Sequence, residues 1–342
     1  MGRSDDALPV IERAITRDPR DGVALALKSV VILVRGDKEQ AFRMAEAAAH
    51  ADPRSPVTWI ALSYAQQARF KLDDAMASVK KAIDLAPRNA LVNARLAELE
   101  LSRGDLGAAL EAAEHATESD PGLSRTQTVL GFVYLAQIDT EEARKAFEQA
   151  IRLDSSDPLA RLGLGLAKIR EGDLDAGVSE IEIAATLDPN NALVRSYLGK
   201  GYYEQKRDTL TSIEYETAKS LDPMDPTPWF YDAIHKHATN RPIEAFHDLQ
   251  NAIRRNNNRA VYRSRLLLDE DLAARGAALG RIYNDIGFAE RGLVEAWTAL
   301  AANPADYTAH TLLSDAYSVL PRHQPARVSE LLQAQLLQPS NA

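Results

Sequence analysis

The sequence predicts an all-α fold in which antiparallel helix pairs repeat along the chain as an α-solenoid. Three observations predict it: a proline marker that recurs at a fixed interval, small residues at fixed distances from that marker, and helix-capping residues just after it. The marker stands at Pro19, Pro53, Pro87, Pro121, Pro189 and Pro223, in a 34-residue register. A fixed period of this length is typical of proteins in which each repeat is one supersecondary unit.

The small residues form the strongest part of the pattern. Eight alanines lie in the same register as the prolines: Ala14, Ala48, Ala82, Ala116, Ala150, Ala184, Ala218 and Ala252. A second series of small residues begins at Ala7 and a third begins at Ser29. Small side chains let neighbouring helices approach closely, and large residues such as Phe147 fill the remaining gaps. The pattern therefore predicts that Ala150 and Ala184 are buried between helices.

Cap and turn residues divide each period into two helices. Ser155 takes the place of the proline between Pro121 and Pro189. Good N-capping residues stand two positions after these markers, at Asp21, Ser55, Asn89, Asp157, Asn191 and Asp225. Proline follows directly at Pro56, Pro158 and Pro226, in the first helical position, where its missing N–H costs nothing. A Gly-Asp pair in mid-repeat, at Gly36, Gly104 and Gly172, ends one helix and starts the next. Each repeat is therefore predicted to be helix A, a tight turn and helix B.

These residues resemble the tetratricopeptide repeat (TPR) family, whose units carry Trp-x2-Leu-Gly-x2-Tyr, then Ala-x3-Phe, Ala and Pro. One repeat matches this pattern at Leu130, Gly131, Tyr134, Ala143, Phe147 and Ala150. Another matches it at Leu198, Gly199, Tyr202, Tyr215, Ala218 and Pro223. The resemblance covers nearly the whole chain. It implies a right-handed superhelix of antiparallel helix pairs, with helix A lining the concave face.

The register divides the chain into successive parts. Residues 1–21 are predicted to be a half repeat with helix B only, and residues 22–259 to be seven full repeats. An insertion at 260–272 precedes a further repeat at 273–306, and a terminal helix pair and tail occupy 307–342. The insertion is either a loop extension that packs its three leucines on the solenoid or an element that docks a partner.

Both ends of the chain carry further expectations. A half repeat without helix A should expose Leu8, Ile11 and Ile15, since the ends of a solenoid normally need polar caps. We therefore expect the chain to be part of a longer protein, with a natural half-repeat cap as the alternative. The stretch from Val261 to Pro339 resembles the segment that closes the TPR portion of some bacterial cell-envelope proteins. That weaker resemblance favours the periplasm over the cytoplasm.

Composition excludes several classes of function. The chain has 40 Lys and Arg against 49 Asp and Glu, a net charge of −9, which does not suit wrapping of a nucleic-acid backbone. It has no cysteine, so disulfides, cysteine zinc sites and a cysteine nucleophile are excluded. No stretch approaches the roughly 18 apolar residues of a membrane-spanning helix. We therefore expect neither nucleic-acid binding nor direct membrane insertion by this segment.

The sequence offers no good candidate for catalysis, a cofactor or a metal. His235 and His237 form the only close histidine pair, and residues two apart on a helix point to different faces. Gly163-x-Gly165 and Gly199-x-Gly201 lie within predicted helices, without the preceding strand or following Gly-Lys-Ser/Thr of a phosphate loop. Carboxylate pairs such as Glu141-Glu142 start helices, where the helix dipole favours them. We expect no enzyme, no cofactor and no metal site.

Aromatic and basic residues mark a candidate binding surface on helix A of the repeats at 192–225 and 226–259. At or near the inward positions implied by the family stand Tyr197, Lys200, Tyr203, Phe230 and Tyr231, a set that we call the aromatic groove. Tyrosine is among the residues that most often anchor protein interfaces. The alternative is that these rings pack against neighbouring helices. Inward positions nearer the N-terminus hold Tyr64, Arg95, Glu98 and Arg125.

The sequence therefore predicts a non-catalytic protein–protein interaction scaffold that binds a partner segment in the concave groove, within a larger assembly or export protein. The alternative is a substrate-recruiting or regulatory arm of an enzyme whose catalytic domain lies outside this chain. We expect a protein or peptide partner, whose identity the sequence does not give. The sequence leaves the oligomeric state open.

Overall fold

A computed structural model describes residues 4–258, 268–318 and 323–338 of the chain. Within those ranges the regular structure consists of nineteen α-helices and one 3₁₀ turn, without a strand. The all-α class predicted from the repeating proline and alanine pattern is confirmed. Two compact parts can be distinguished, Met1–Pro189 and Asn190–Ala342, which we call the N-terminal and C-terminal parts.

Eleven helices form the described portion of the N-terminal part. They are α1 (Ser4–Arg17), α2 (Gly22–Val34), α3 (Lys38–Ala51), α4 (Pro56–Ala68), α5 (Leu72–Leu85), α6 (Ala90–Arg103), α7 (Leu106–Ser119), α8 (Ser124–Ala136), α9 (Thr140–Leu153), α10 (Pro158–Arg170) and α11 (Leu174–Leu187). From α2 onward, helix A and helix B alternate and are nearly equal in length, as the predicted repeat requires.

Eight helices form the described portion of the C-terminal part. They are α12 (Ala192–Glu204), α13 (Asp208–Leu221), α14 (Pro226–Ala238), α15 (Pro242–Arg254), α16 (Leu268–Asp285), α17 (Ala289–Ala302), α18 (Tyr307–Ser318) and α19 (Gln324–Leu337), with a 3₁₀ turn at Asn256–Asn258. The insertion expected at 260–272 lies mostly outside the described residues, and its last part belongs to α16.

Helix boundaries follow the local chemistry that the sequence indicates. The Asp21 carboxylate accepts a hydrogen bond from the backbone N–H of Ala24, and the Asn89 side chain accepts from those of Leu91 and Val92. Ser55 stands at the same position but makes no capping bond, and Pro56 starts α4 without one. Gly104 ends α6 with φ of 87°, a left-handed conformation that favours glycine.

The alanine register forms the core between helices. Ala150 and Ala184 are fully buried, as the sequence predicts. Glycines also allow neighbouring helices to approach closely. A Cβ added to Gly131 on α8 would lie 2.7 Å from the Phe147 ring on α9. Phe147 is itself completely buried beside Ala143, Leu164 and its neighbours. Small residues on one helix thus make room for a large ring on the next.

Enlarging a register alanine should therefore strain the helix interface. Replacing Ala150 by leucine is expected to lower the free energy of unfolding by about 1–3 kcal/mol, because the extra methyl groups have no space. Urea denaturation followed by circular dichroism measures this change. The same replacement at the exposed Ala47 of α3 serves as the control and should shift the midpoint little. An unchanged midpoint for Ala150→Leu would contradict the packing described here.

The expectation that the N-terminal half repeat exposes Leu8, Ile11 and Ile15 is wrong. Ile11 is buried, and Ile15 packs against the core cluster that contains Leu25 and Ala26. Leu8 is half-buried. The second helix, α2, covers this side of α1, so the uncovered aliphatic residues lie elsewhere, at Val10 and along α2. Among the described residues, none of the helices combines the length and apolarity needed to cross a membrane.

Candidate functional site

The aromatic groove is carried by two successive A helices of the C-terminal part, α12 and α14. The Asn191 side chain caps α12 by accepting from the backbone N–H groups of Leu193 and Val194. Asp225 caps α14 in the same way, and Pro226 occupies its first turn. These caps fix where each helix begins, and therefore which residues face outward. All five residues of the aromatic groove are half-buried.

Lys200 and Tyr231 join the two helices. The Lys200 ammonium donates a hydrogen bond to the Tyr231 hydroxyl at 3.2 Å and lies 4.6 Å from the centre of the same ring. A cation held over an aromatic face in this way is stabilised by the ring quadrupole. The sequence prediction placed these residues near each other, and the structure brings them into direct contact.

The other groove residues differ in how much they contribute to packing. The Tyr203 ring lies edge-on to buried His235 at 6.0 Å, and the Lys206 ammonium lies 5.2 Å from the Tyr203 ring centre. Phe230 packs against the core cluster that contains Leu249 and Leu279, so its ring also supports the fold. Tyr203 and Tyr231 are therefore better probes of a binding surface than Phe230.

A buried charge cluster, which the sequence reasoning missed, includes two residues of α14, the helix that carries Phe230 and Tyr231. It consists of Lys219 on α13, Asp232 and Lys236 on α14, and Asp248 on α15. The Lys219 ammonium lies 2.6 Å from Asp232 Oδ2 and 3.0 Å from Asp248 Oδ2. The Lys236 ammonium lies 2.9 Å and 2.6 Å from the same two oxygens. Two cations and two anions thus compensate one another in the interior.

The cluster extends towards solvent through a third carboxylate. Glu216 Oε1 lies 3.0 Å from the Lys219 ammonium and 3.1 Å from that of Lys236, and the Glu216 side chain is mostly exposed. The carboxylates of Glu216, Asp232 and Asp248 are close enough together to hold one metal ion. Because two ammonium groups already lie among them, the arrangement favours a salt-bridge network over a metal site.

Burial and charge oppose each other at Asp232. Burial alone would raise the pKa of Asp232, but the Lys219 and Lys236 ammonium groups outweigh it and hold this pKa below its ordinary value. The carboxylate is therefore ionised at neutral pH. His235, one turn away, is buried with Nδ1 3.5 Å from Asp232 Oδ1, while His237 faces Asp285 instead.

A break in the repeat pattern could have revealed the cluster. Five earlier repeats hold leucine one position before the small residue of helix A, at Leu62, Leu96, Leu130, Leu164 and Leu198. The equivalent position in the next repeat is Asp232. A carboxylate at a core position of the repeat requires a buried partner, and Lys236 lies one helical turn further on.

A second polar network lies on the A helices of the N-terminal part. The Arg95 side chain is almost fully buried, and its guanidinium stacks 3.8 Å from the centre of the Tyr64 ring. It binds Glu98 at 2.9 Å, and Glu98 also accepts hydrogen bonds from Tyr64 and Arg125. Burial alone would raise the pKa of Glu98, but Arg125 and Arg95 outweigh it and lower this pKa. The charged and hydrogen-bonding groups of Tyr64, Arg95, Glu98 and Arg125 are thus paired with one another.

Comparison with known proteins supports the repeat assignment. A family model for the tetratricopeptide repeat matches residues 1–56 and 129–209. No curated protein sequence matches the chain. A chain of the APC/C hetero-tetramer Cut9–Hcn1 superposes with a TM-score of 0.76 at 18% identity, over 93% of this chain and 61% of that chain. This chain thus spans less than two thirds of that one.

Human IFIT1 gives a second comparison. The IFIT1 dimer solved with PPP-AAAA superposes with a TM-score of 0.58 at 14% identity, over 92% of this chain and 72% of that chain. A monomeric IFIT1 mutant solved with m7Gppp-AAAA gives a TM-score of 0.61 at 13% identity, over 98% of this chain and 95% of that chain. At such identities the likeness concerns the α-solenoid fold alone.

Proposed function

We propose that this chain, two stretches of which match the tetratricopeptide-repeat family model, is a non-catalytic scaffold that binds a segment of a partner protein in the aromatic groove. Proteins of this fold generally serve protein–protein interaction. The observation that carries the proposal is the Lys200–Tyr231 contact, which holds a cation and a half-exposed ring across two successive A helices. Tyr203 lies one turn from Lys200 on the same helix.

The chemistry of the groove favours an extended or helical peptide. Tyrosine and phenylalanine rings bury a large area on binding and lose little rotamer entropy. The charge cluster joins α13, α14 and α15 through three ion pairs between helices and a fourth within α14, so the helix that carries Phe230 and Tyr231 is tied to α13 and α15. Rigid presentation lowers the entropic cost of binding. The net charge of −9 favours neutral or basic partners over acidic ones.

Parallel affinity purification tests this function. The full chain, Tyr203→Ala, Tyr231→Ala and Tyr307→Ala are used as bait in a lysate of the source organism, with quantitative mass spectrometry as the readout. Tyr307 is an exposed tyrosine on α18 and serves as the matched control. A true anchor residue contributes about 2 kcal/mol or more, so each groove variant should weaken partner binding about thirtyfold, and Tyr307→Ala little.

Circular dichroism must first show that each variant keeps its helices. If folded Tyr203→Ala and Tyr231→Ala retain the same partner as the wild-type chain, the aromatic groove is not the binding surface. The insertion at 260–272 then becomes the next candidate for the docking element.

A further inference from the structure

Two successive repeats of the N-terminal part carry a groove at the same place in the repeat. The first groove lies among α3, α4 and α5, is lined by Trp59 and Lys81 among others, and encloses about 290 Å³. The second lies between α6 and α7 and encloses about 560 Å³. Asn93 and His115 line the second groove at the register positions of Trp59 and Lys81. We call this second groove the Asn93 groove.

The chain itself supplies a ring and a cation to the first groove. The Lys81 ammonium lies 4.1 Å from the centre of the Trp59 ring, a favourable cation–π distance. The Trp59 indole N–H donates to the Pro53 carbonyl oxygen at 2.9 Å. Asn93 reproduces this hydrogen bond, because its Nδ2 donates to the Pro87 carbonyl oxygen at 2.8 Å, but it brings no ring. The Asn93 groove thus has neither the ring nor the lysine, and it is the larger of the two.

The Asn93 side chain leaves a hydrogen-bond acceptor in its groove. Asn93 is only 4% exposed, and its Nδ2 donates to the carbonyl oxygens of Pro87 and Asn89. Its Oδ1 accepts no hydrogen bond from the described residues. Because Nδ2 is directed to the turn before α6, Oδ1 on the other branch of the amide is left to the groove that Asn93 lines. A buried amide oxygen without a donor is costly, so this site favours a ligand with N–H groups.

Four carboxylates line the same groove. Glu100 contributes from α6, and Glu111, Glu114 and Glu118 contribute from α7. Glu100 is 3.3 Å from Arg103, whereas the three glutamates of α7 are exposed and have no ion-pair partner among the described residues. Their spacing of three and four residues places them on one side of α7, where like charges repel one another. A cation in the groove would relieve this repulsion.

The negative charge is a local feature of this repeat. The register positions of Glu111 and Glu118 are occupied one repeat later by Lys145 and Arg152. The last turn of α7 also holds no basic residue, so the negative end of its helix dipole has no cation from that turn beside it. Charge complementarity therefore favours a cationic occupant for the Asn93 groove over a neutral or acidic one.

We propose that the Asn93 groove binds an arginine side chain of a basic partner segment. A guanidinium presents N–H donors in a planar fork, so it can donate to Asn93 Oδ1 and to a glutamate carboxylate at the same time. The aliphatic stem of the arginine packs on Leu96, Ala108 and Ala112, which line the apolar part of the groove. The proposal is independent of the aromatic groove, which lies on α12 and α14.

The test uses an end-capped peptide, Gly-Ala-Arg-Ala-Arg-Ala-Gly, labelled with tetramethylrhodamine. Two matched peptides carry lysine or citrulline in place of each arginine, and citrulline keeps the shape of arginine without its charge. Fluorescence anisotropy at physiological ionic strength, where distant exposed charges are screened, measures binding to the full chain. The variants are Asn93→Trp, Glu111→Gln and Glu290→Gln. Glu290 is an exposed glutamate of α17 outside the groove and serves as the matched control.

We expect saturable binding of the arginine peptide. Asn93→Trp should weaken it at least about tenfold, because the new ring occupies the groove and the amide acceptor is lost. Glu111→Gln should weaken it about threefold, and Glu290→Gln should change it little. The citrulline peptide should bind at least about tenfold more weakly, and the lysine peptide about threefold more weakly, since lysine has no planar fork.

Circular dichroism shows whether each variant keeps its helices. If Asn93→Trp does not fold, Glu111→Gln and the citrulline peptide still decide the question. The proposal is overturned if the arginine peptide does not saturate the wild-type chain, or if the citrulline peptide binds equally well. Equal weakening by Glu111→Gln and Glu290→Gln would also overturn it, because attraction by net charge alone would then explain the binding. Equal binding of the lysine peptide would overturn the assignment to arginine.

Discussion

Replacing Asp232 by alanine is expected to lower the free energy of unfolding by about 3–5 kcal/mol. The Asp232 side chain is completely buried and accepts close contacts from both Lys219 and Lys236. Its loss leaves two ammonium groups in the interior with only Asp248 and the exposed Glu216 to compensate them. An uncompensated buried charge is strongly destabilising, whereas the intact network adds little net stability.

Urea denaturation followed by circular dichroism measures the effect of Asp232→Ala. Asp315→Ala, at an exposed aspartate of α18, is the control and should change the free energy of unfolding by less than about 0.5 kcal/mol. A variant that replaces Lys219 and Lys236 by methionine and Asp232 and Asp248 by leucine should be at least as stable as the wild-type chain. If Asp232→Ala behaves like Asp315→Ala, the cluster is not assembled as described.

Replacing Glu98 by glutamine is expected to cost about 3 kcal/mol at neutral pH. Glu98 is the shared acceptor for Arg95 and Arg125, and Arg95 is almost fully buried. Glutamine keeps the shape and one acceptor oxygen but removes the negative charge, so the buried Arg95 loses its compensating anion. The helices should remain intact, because Arg95 still has Ser63 and Gln67 as hydrogen-bond acceptors.

The effect of Glu98→Gln should depend on pH in a defined direction. The folded-state pKa of Glu98 is lowered, so its ionisation stabilises the fold above the unfolded-state pKa of about 4.3. That contribution is lost as the pH falls through the lower folded-state pKa. The stability difference between wild type and Glu98→Gln should therefore shrink as the pH is lowered from 7 to about 3. Melting temperatures of the two proteins across this pH range measure the stability difference. Glu118→Gln, at an exposed position of α7, serves as the control. A difference that is independent of pH would contradict the network.

The repeat fold could be predicted because its packing rule is simple and recurs. Close helix contacts need small residues at fixed places, so the alanine register is visible in the sequence, and Ala150 and Ala184 are buried as expected. Cap residues such as Asp21 and Asn89 act locally, and their role follows from the chain near them.

The interior polar networks could not be predicted in the same way, because their partners come from different helices. Lys219, Asp232 and Asp248 lie on three helices, and only the departure of Asp232 from the leucine register hinted at a buried charge. The contribution of Phe230 to the core likewise depends on Leu279 of α16, beyond the insertion. The exposed face at the N-terminus differs from the expectation because α2 packs on α1 and covers Ile15, a tertiary contact that the repeat register alone does not show.

The proposed function requires that the aromatic groove contacts a partner directly. Site-specific photocrosslinking measures this contact: a photoreactive phenylalanine replaces Tyr203 or Tyr231 in the full chain, and Tyr307 in the control. We expect the protein retained in affinity purification to be crosslinked from positions 203 and 231 and not from 307. Crosslinking of that protein from position 307 alone, or equally from positions 203, 231 and 307, would contradict direct contact at the aromatic groove.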